Sequence, residues 1–109
     1  MKADEVLRAL AEPQRARIVR LVRDTELAAG EVAEHFNITP QAVSQHLRVL
    51  KDAGVLNERR QGTKRLYSVR PEAIESVREY LDELWPSSLS ALKHVVENGK
   101  RAKRPSKSA

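Results

Sequence analysis

The segment TPQAVSQHLRVLKDAG, residues 39–54, constrains the fold more than any other part of the sequence. Thr39 suits an N-cap, Pro40 suits the first turn of a helix, and Gly54 can adopt the left-handed conformation that ends one. Three apolar residues spaced i, i+4 and i+7 share one face of that helix: Val43, Leu47 and Leu50. The sequence therefore predicts an amphipathic helix that begins after Thr39 and ends near Ala53.

The opposite face of this helix carries side chains that suit contact with nucleic acid: Gln41, Ser44, Gln45 and Arg48. A solvated helix face usually holds several charges, whereas this one holds amides, a hydroxyl and a guanidinium. Gln pairs with adenine, Arg with guanine, and Ser with either kind of base. The pattern predicts contacts with DNA, and an ordinary polar face is the alternative. Thr39 is included in the predicted contact surface, while His46 either contacts a phosphate or packs at the helix edge.

Three shorter helices are predicted before this one, over residues 4–11, over residues 13 to about 23, and in a short segment that ends at Asn37. Glu12 and Pro13 separate the first two, because proline disfavours helix in the residue before it and suits the first turn of the next helix. Residues 24–30 are predicted to be a connector. A turn over residues 37–40 joins the third and fourth helices, which predicts a helix-turn-helix whose second helix can enter the major groove.

The residue pattern changes after Gly54, where two short β-like runs flank Gly62 and Thr63. A hairpin that follows a helix-turn-helix is a wing. Its predicted DNA contacts comprise Thr63 and four basic residues: Arg59, Arg60, Lys64 and Arg65. Side chains alternate between the two faces of a strand, so about half of the basic ones are expected to face DNA as phosphate contacts. The alternative is that these residues keep the protein soluble, because Lys and Arg on an exposed strand also prevent it from pairing with another chain.

A last helix is predicted to begin at Pro71 and to carry a narrow apolar stripe at 3,4 spacing: Ile74, Val77, Leu81 and Leu84. Such a stripe suits pairing with another helix. Tyr80 and Trp85 flank it and are predicted to be core or interface residues. Pro86 predicts a kink or a restart, after which Leu89 and Leu92 continue the pattern.

The formal net charge of +5 is unevenly distributed along the chain. Residues 99–109 hold five basic residues and no acid, so residues 1–98 are formally neutral. Within them, residues 35–70 carry a local charge of +5 and residues 71–98 a local charge of −4. We expect one domain over residues 1–98 with a face suited to phosphate, followed by a disordered basic tail at 99–109 that is either a second contact with DNA or inert.

Composition excludes several classes of function. The chain has no cysteine, so it forms no disulfide and binds no metal through thiolate. It has three histidines, no Gly-rich phosphate loop and no local catalytic motif, which argues against an enzyme. No apolar run approaches the length of a membrane span, and the N-terminus lacks an apolar signal core. The sequence predicts a cytoplasmic protein with no membrane partner.

Three motifs resemble the ArsR/SmtB family of winged helix-turn-helix repressors: LAEPQRARIVRLV, AVSQHLRVLKDAGVL and RRQGTKRLYSV. The resemblance covers nearly all of residues 4–98. It implies a mostly α-helical fold with a small β-hairpin, a homodimer joined through the first and last helices, a palindromic operator and repression of transcription. The dimerisation residues it implies are Val6, Leu7, Leu10, Ile74, Val77, Leu81, Leu84, Trp85, Leu89 and Leu92.

Many members of that family release DNA when a metal or another effector binds. Where metal-sensing members place cysteines, this chain has Ala28 and Gly30, which excludes thiolate sensing there. His94 and Glu97 keep the spacing of a second family metal site, but one histidine with one or two carboxylates is a poor zinc set. We expect no metal and no cofactor, and an unidentified small-molecule effector stays open. The alternative function is a winged-helix module that binds a protein and contacts DNA non-specifically.

Overall fold

The computed structural model describes residues 2–85. Their helices and strands are α1 (Ala3–Leu10), α2 (Pro13–Val22), β1 (Leu27–Ala28), α3 (Ala29–Ala33), α4 (Pro40–Asp52), β2 (Leu56–Gln61), β3 (Lys64–Val69) and α5 (Pro71–Leu84). One compact unit ends at Val77 and a second begins at Arg78. The predicted basic tail, the segment after Pro86, and the pair His94 and Glu97 lie outside the described residues.

Both ends of α4 are fixed by local hydrogen bonds, which confirms the predicted caps. The Thr39 hydroxyl accepts a hydrogen bond from the backbone N–H of Ala42 at 3.1 Å. At the other end, Gly54 has a φ of 84°, and the N–H of Val55 reaches back to the carbonyl of Leu50 at 2.9 Å. This is the Schellman arrangement, and it requires the left-handed conformation that Gly54 adopts at little cost.

The three strands form one antiparallel sheet in the order β1-β3-β2. Strands β2 and β3 form the predicted hairpin, which turns at Gly62 with a φ of 64°. The prediction of a connector over residues 24–30 was wrong at Leu27 and Ala28, which pair with Tyr67 and Leu66 of β3, and at Ala29 and Gly30, which begin α3. Two residues are too few to show a periodic pattern in the sequence. Leu27 and Ala28 take the strand conformation because they pair with the edge of β3 that β2 leaves open. Helix α3 also ends at Ala33, before the predicted end at Asn37.

The core of the first unit lies where α1, α2, α3 and α4 meet the base of the hairpin. Its largest fully buried side chains are Ile18, Leu47, Leu50, Leu56, Val6, Val22, Val32, Val43 and Val55. Complete burial of one such side chain contributes about 1.5–3 kcal/mol. The inward face predicted for α4 is therefore confirmed. Val6 corrects the predicted dimerisation set, because its side chain is 0% exposed and has no surface to offer a second copy.

The remaining predicted dimerisation residues in the described chain differ in exposure. In the first unit, Leu10 and Val77 are partly buried against the core, while Leu7 is 37% and Ile74 is 49% exposed. In the second unit, the exposed apolar residues of the described part are Leu81, Leu84 and Trp85. Leu89 and Leu92 lie outside the described residues. No helix in residues 2–85 has both the length and the apolar character that crossing a membrane requires.

Candidate nucleic-acid interface

The outer face of α4 is exposed along its whole length. Gln41, Ser44, Gln45 and Arg48 are all exposed, and within residues 2–85 their side chains make no hydrogen bond or ion pair. The helix itself is held rigidly from the other side, because Val43, Leu47 and Leu50 are each at most 1% exposed. The buried face thus fixes the position of the helix, while the side chains on the outer face are free to contact an external ligand.

The hairpin lies beside α4 and forms a recess with it. The recess has a volume of about 210 Å³ and is lined by Ala29, Ser44, Arg48, Lys51, Glu58, Arg65 and Tyr67. Three of these side chains are cationic and come from two different elements, since Arg48 and Lys51 belong to α4 and Arg65 belongs to β3. The fold therefore brings the predicted base-contacting helix and the predicted basic wing to one concave, positively charged surface.

Two of the residues that line this recess, Tyr67 and Glu58, are hydrogen-bonded to each other. The Tyr67 hydroxyl donates to Glu58 Oε2 at 2.6 Å. That hydrogen bond, together with the neighbouring cations, holds the pKa of Glu58 below its usual value, against an opposing contribution from partial burial. Burial and the same carboxylate raise the pKa of Tyr67 to about 12. At neutral pH the pair is thus a carboxylate that accepts a hydrogen bond from a neutral phenol.

The strand register divides the basic residues of the wing between two faces. Arg60 lies directly opposite Arg65. Each is two residues from Glu58 or Tyr67 along its strand, so all four side chains lie on the face of the hairpin that borders the recess. Two like charges directly opposite each other in a sheet are destabilising. Glu58 lies 3.9 Å from Arg65 and offsets part of this repulsion, and a bound phosphate would offset more of it, so the arrangement favours a contact with an anion. Lys64 lies on the other side of the hairpin, next to the exposed Thr63 at the turn.

Arg59 is placed differently from the other basic wing residues. Its Nε and Nη2 donate to the two carboxylate oxygens of Glu26 at 2.7 and 2.8 Å. The hydrogen bond and the charge of Arg59 hold the pKa of Glu26 below its usual value. This bidentate pair fastens β2 to the residue that precedes β1. The placement assigns Arg59 to the support of the wing and does not favour the phosphate contact predicted for it.

The two remaining members of the predicted contact surface also have partners within the protein. Thr39 caps α4, so its hydroxyl is engaged at the helix N-terminus. His46 is half-buried, and its Nδ1 lies 3.5 Å from Nη1 of Arg15 in α2. Arg15 in turn donates to the carbonyl of Ala9 at the end of α1 at 2.7 Å. Of the two alternatives for His46, packing at the helix edge is the one its position favours.

Sequence reasoning did not single out Lys51, Glu58 or Tyr67 as parts of the site. Lys51 lies within AVSQHLRVLKDAGVL and Tyr67 within RRQGTKRLYSV, but neither was assigned a role there, and Glu58 lies outside the three motifs. The turn at Gly62 and Thr63 was a usable signal, because a two-residue connection sets the register and places Glu58 opposite Tyr67. Lys51 follows Arg48 by three positions, so it lies on the same side of α4.

The chain is similar to known proteins over most of its length. Residues 10–59, which span α2 to most of β2, match a family model described as a helix-turn-helix domain. The HTH-type transcriptional regulator Rv2034 of Mycobacterium tuberculosis is 35% identical over 95 residues, which cover 87% of this chain and 89% of that protein. The chain belongs to the ArsR/SmtB family. Like its relatives, this ArsR/SmtB protein is a DNA-binding transcriptional regulator.

Two further similarities support the same assignment. The transcriptional repressor SdpR of Bacillus subtilis is 35% identical over 72 residues, covering 66% of this chain and 80% of the repressor. A solved structure described as a possible transcriptional regulator for arsenical resistance is 36% identical, covers 83% of this chain and 94% of its own, and superposes with a TM-score of 0.68. The winged helix-turn-helix fold predicted from the sequence is thereby confirmed.

Proposed function

We propose that this ArsR/SmtB protein is a homodimeric repressor that binds a palindromic operator in double-stranded DNA. The observation that carries the proposal is the outer face of α4, where the exposed side chains of Gln41, Ser44, Gln45 and Arg48 make no hydrogen bond or ion pair within residues 2–85. Gln45 and Arg48 would contact base edges in the major groove, since amide and guanidinium groups form paired hydrogen bonds with adenine and guanine. Ser44 and Gln41 would complete the contacts of that helix.

Contacts with the DNA backbone are proposed for the cations beside α4. Arg60 and Arg65 lie directly opposite each other on one side of the hairpin, where two like charges are unfavourable. Lys51 and Arg65 line the recess next to Ser44 and Arg48. Phosphates neutralise these charges and release counterions, which strengthens binding to any DNA sequence. The basic tail at residues 99–109 would add to this general attraction, and its deletion would then flatten the salt dependence.

A second copy of the chain is proposed to cover the exposed apolar residues at the two ends of the described chain. Leu7 of α1 and Ile74 of α5 are exposed, and so are Leu81, Leu84 and Trp85 of the second unit. The spacing of the stripe suits a helix-helix interface. A two-fold dimer would place its two α4 helices about 34–36 Å apart, one turn of DNA, which is why a palindromic operator is proposed.

The proposed regulator acts in the cytoplasm and performs no catalysis. It takes no resident cofactor, and any effector that releases it from DNA would be of a kind other than a thiolate-bound metal, because this chain contains no cysteine. The proposed DNA-binding and dimerisation domain comprises residues 1–98.

The test is fluorescence anisotropy of the purified protein on the DNA upstream of its own gene and on scrambled DNA, across a salt series. We expect binding at ~0.15 M salt that is tighter by at least ~10³ on the specific DNA. Replacing either contact residue, Gln45→Ala or Arg48→Ala, should cost about 1–3 kcal/mol on specific DNA and have little effect on scrambled DNA.

The matched control is Arg23→Ala, which also removes one exposed arginine but at the end of α2, beside Asp24. It should leave the preference for the specific DNA unchanged. Equal and salt-labile binding of the wild type to both DNAs would contradict the proposal. That result would favour the alternative, a winged-helix module for a protein partner.

A further inference from the structure

An acidic side chain lies in the middle of the proposed DNA-binding surface. Among the residues that line the recess between α4 and the hairpin, Glu58 is the one acid. A carboxylate at this place repels the phosphates that the surface is proposed to bind, so on charge alone it weakens binding to DNA of any sequence. A residue that opposes general affinity and is nevertheless built into the surface needs another role.

Three contacts show what Glu58 does to its surroundings. The Tyr67 hydroxyl fixes the carboxylate at 2.6 Å, and the side chain is 22% exposed. Lys51 Nζ lies 3.8 Å from one carboxylate oxygen, and Arg65 Nη1 lies 3.9 Å from the other. Lys51 belongs to α4 and Arg65 to β3. Glu58 therefore lies within ion-pair distance of one cation of α4 and one cation of the wing.

Lys and Arg side chains have large conformational freedom, and fixing one at an interface costs free energy when a ligand binds. A carboxylate that already confines them reduces this cost for DNA whose phosphates match the confined positions. It gives no such benefit for DNA that is bound in many registers. The same carboxylate thus lowers general affinity through its charge and favours one register through its geometry.

We propose that Glu58, fixed by Tyr67, is a positioning residue that holds Lys51 and Arg65 for one arrangement of DNA phosphates and thereby increases the preference for operator over other DNA. The proposal rests on the proposed function, since it concerns how that DNA-binding surface discriminates. Two properties of Glu58 are separable by substitution. Its charge is removed by Glu58→Gln, and its attachment is removed by Tyr67→Phe while the charge remains.

The first measurement uses no DNA. The full chain, labelled with ¹⁵N, is compared by NMR relaxation of the Arg65 Nε–H group in the wild type, in Glu58→Gln and in Tyr67→Phe. The order parameter of this group should fall in both variants. The matched control is Glu72→Gln, which also raises the net charge by one and also removes a pairing at 3.9 Å, that of Arg70 with Glu72, away from the recess. It should leave Arg65 unchanged.

The second measurement is DNA binding on operator and on scrambled DNA across a salt series. For Glu58→Gln, scrambled DNA should bind about threefold more tightly or better, and the slope of log K against log salt should steepen by up to about 0.9 for each additional phosphate that the protein neutralises. Operator binding should strengthen less, so that the preference falls by about three- to tenfold. Tyr67→Phe should leave the scrambled-DNA slope unchanged and lose the same preference through weaker operator binding. Thermal unfolding checks that both variants fold.

The outcomes separate this inference from the proposed function. An unchanged order parameter for Arg65 in both variants overturns the positioning role, whatever the wild type binds. So does an equal increase in affinity for operator and scrambled DNA in Glu58→Gln, because a simple charge effect then accounts for it. A wild type without operator preference defeats the proposed function, and in that case the Arg65 measurement alone decides whether Glu58 positions the cations.

Discussion

The helix α4 and the hairpin β2–β3 present side chains to the same surface but are held in place by different interactions. Helix α4 is anchored by Val43, Leu47 and Leu50, which are buried in the core. On its outer face Lys51 pairs with Glu58, whereas the side chains of Gln41, Ser44, Gln45 and Arg48 make no hydrogen bond or ion pair within residues 2–85. The hairpin is buried through Leu56, Leu66 and Tyr67, whereas its exposed outer part is held by polar contacts. These are the pairing of Arg59 with Glu26 and the hydrogen bond from the Tyr67 hydroxyl to Glu58.

This difference has physical consequences for the two parts of the surface. Burial of apolar side chains does not depend on protonation and is not screened by salt. Exposed ion pairs are screened, and carboxylates lose their charge in acid. The helix should therefore keep its geometry over a wide range of conditions, whereas the wing should respond to salt and pH. Base recognition would be a fixed property of the protein and backbone contact an adjustable one.

The largest expected effect tests the apolar anchor of α4. Leu50 is 0% exposed, so Leu50→Ala leaves a cavity and should lower the free energy of unfolding by about 2–5 kcal/mol. The neighbouring substitution Val49→Ala is the matched control, because Val49 is 39% exposed and should cost less than about 1 kcal/mol. Urea unfolding followed by circular dichroism measures both. Equal losses would show that the two faces of α4 are not anchored as described.

The comparison also explains which parts of the structure the sequence could predict. Helix α4 was predicted with its caps and its two faces because periodicity and capping are local properties, and each is present within residues 39–54. The hairpin was predicted from the turn at Gly62 and Thr63. Strand β1 was missed because its two residues form no pattern of their own and owe their strand conformation to β3, which is distant in the sequence.

The partners of the wing residues were the least predictable part of the site. The basic residues were identified by type, but Arg59 is committed to Glu26, which is 33 positions away in the sequence. Nothing local to either residue indicates that pairing. By contrast, the opposition of Arg60 and Arg65 and of Glu58 and Tyr67 follows from the turn, because a two-residue connection fixes which strand residues face each other.

A smaller effect tests whether the wing trades stability for backbone contact. Arg60→Ala removes the like charge opposite Arg65 and also the weaker attraction of Arg60 for Glu58. If the repulsion is the larger of the two, the free energy of unfolding should rise, by at most about 1 kcal/mol. The same change should weaken binding to operator and scrambled DNA alike and reduce the salt slope by about 0.9, as loss of one phosphate contact does. Unfolding and anisotropy are measured on the same preparation.

Lys64→Ala is the control for that prediction. Lys64 lies opposite Gln61, on the other side of the hairpin, so its loss relieves no repulsion of like charges directly across the strands. Its unfolding free energy should stay the same. If Arg60→Ala is no more stable than Lys64→Ala, the opposition of the two arginines carries no cost, and the inference from it to a phosphate contact is lost.

The smallest expected effect is a response of the hairpin to pH that α4 does not share. The pKa of Glu58 is lowered in the folded protein, so its contribution to stability is present above its ordinary value of 4.5 and is lost as the pH falls through the lowered one. The pKa of Tyr67 is raised from 10.0 to about 12, so the stability linked to it is present below pH 10.0 and is lost as the pH rises toward 12. The wing should loosen at both extremes.

The loss of stability at low pH is measured by amide hydrogen exchange in acid, after correction for the pH dependence of the intrinsic exchange rate. Amides of β2 and β3 should lose about two- to fivefold of their protection as Glu58 is protonated, the size expected when a partly exposed hydrogen-bonded pair is lost. The amide of Leu50 in α4 should show no such step over the same range, since apolar burial holds it. In Tyr67→Phe the step in the hairpin should shrink, because the hydrogen bond that lowers the pKa of Glu58 is gone. If the amides of α4 and of the hairpin lose protection together, acid loosens the whole unit. The proposed difference, with α4 held by apolar burial and the hairpin by polar contacts, would then be wrong.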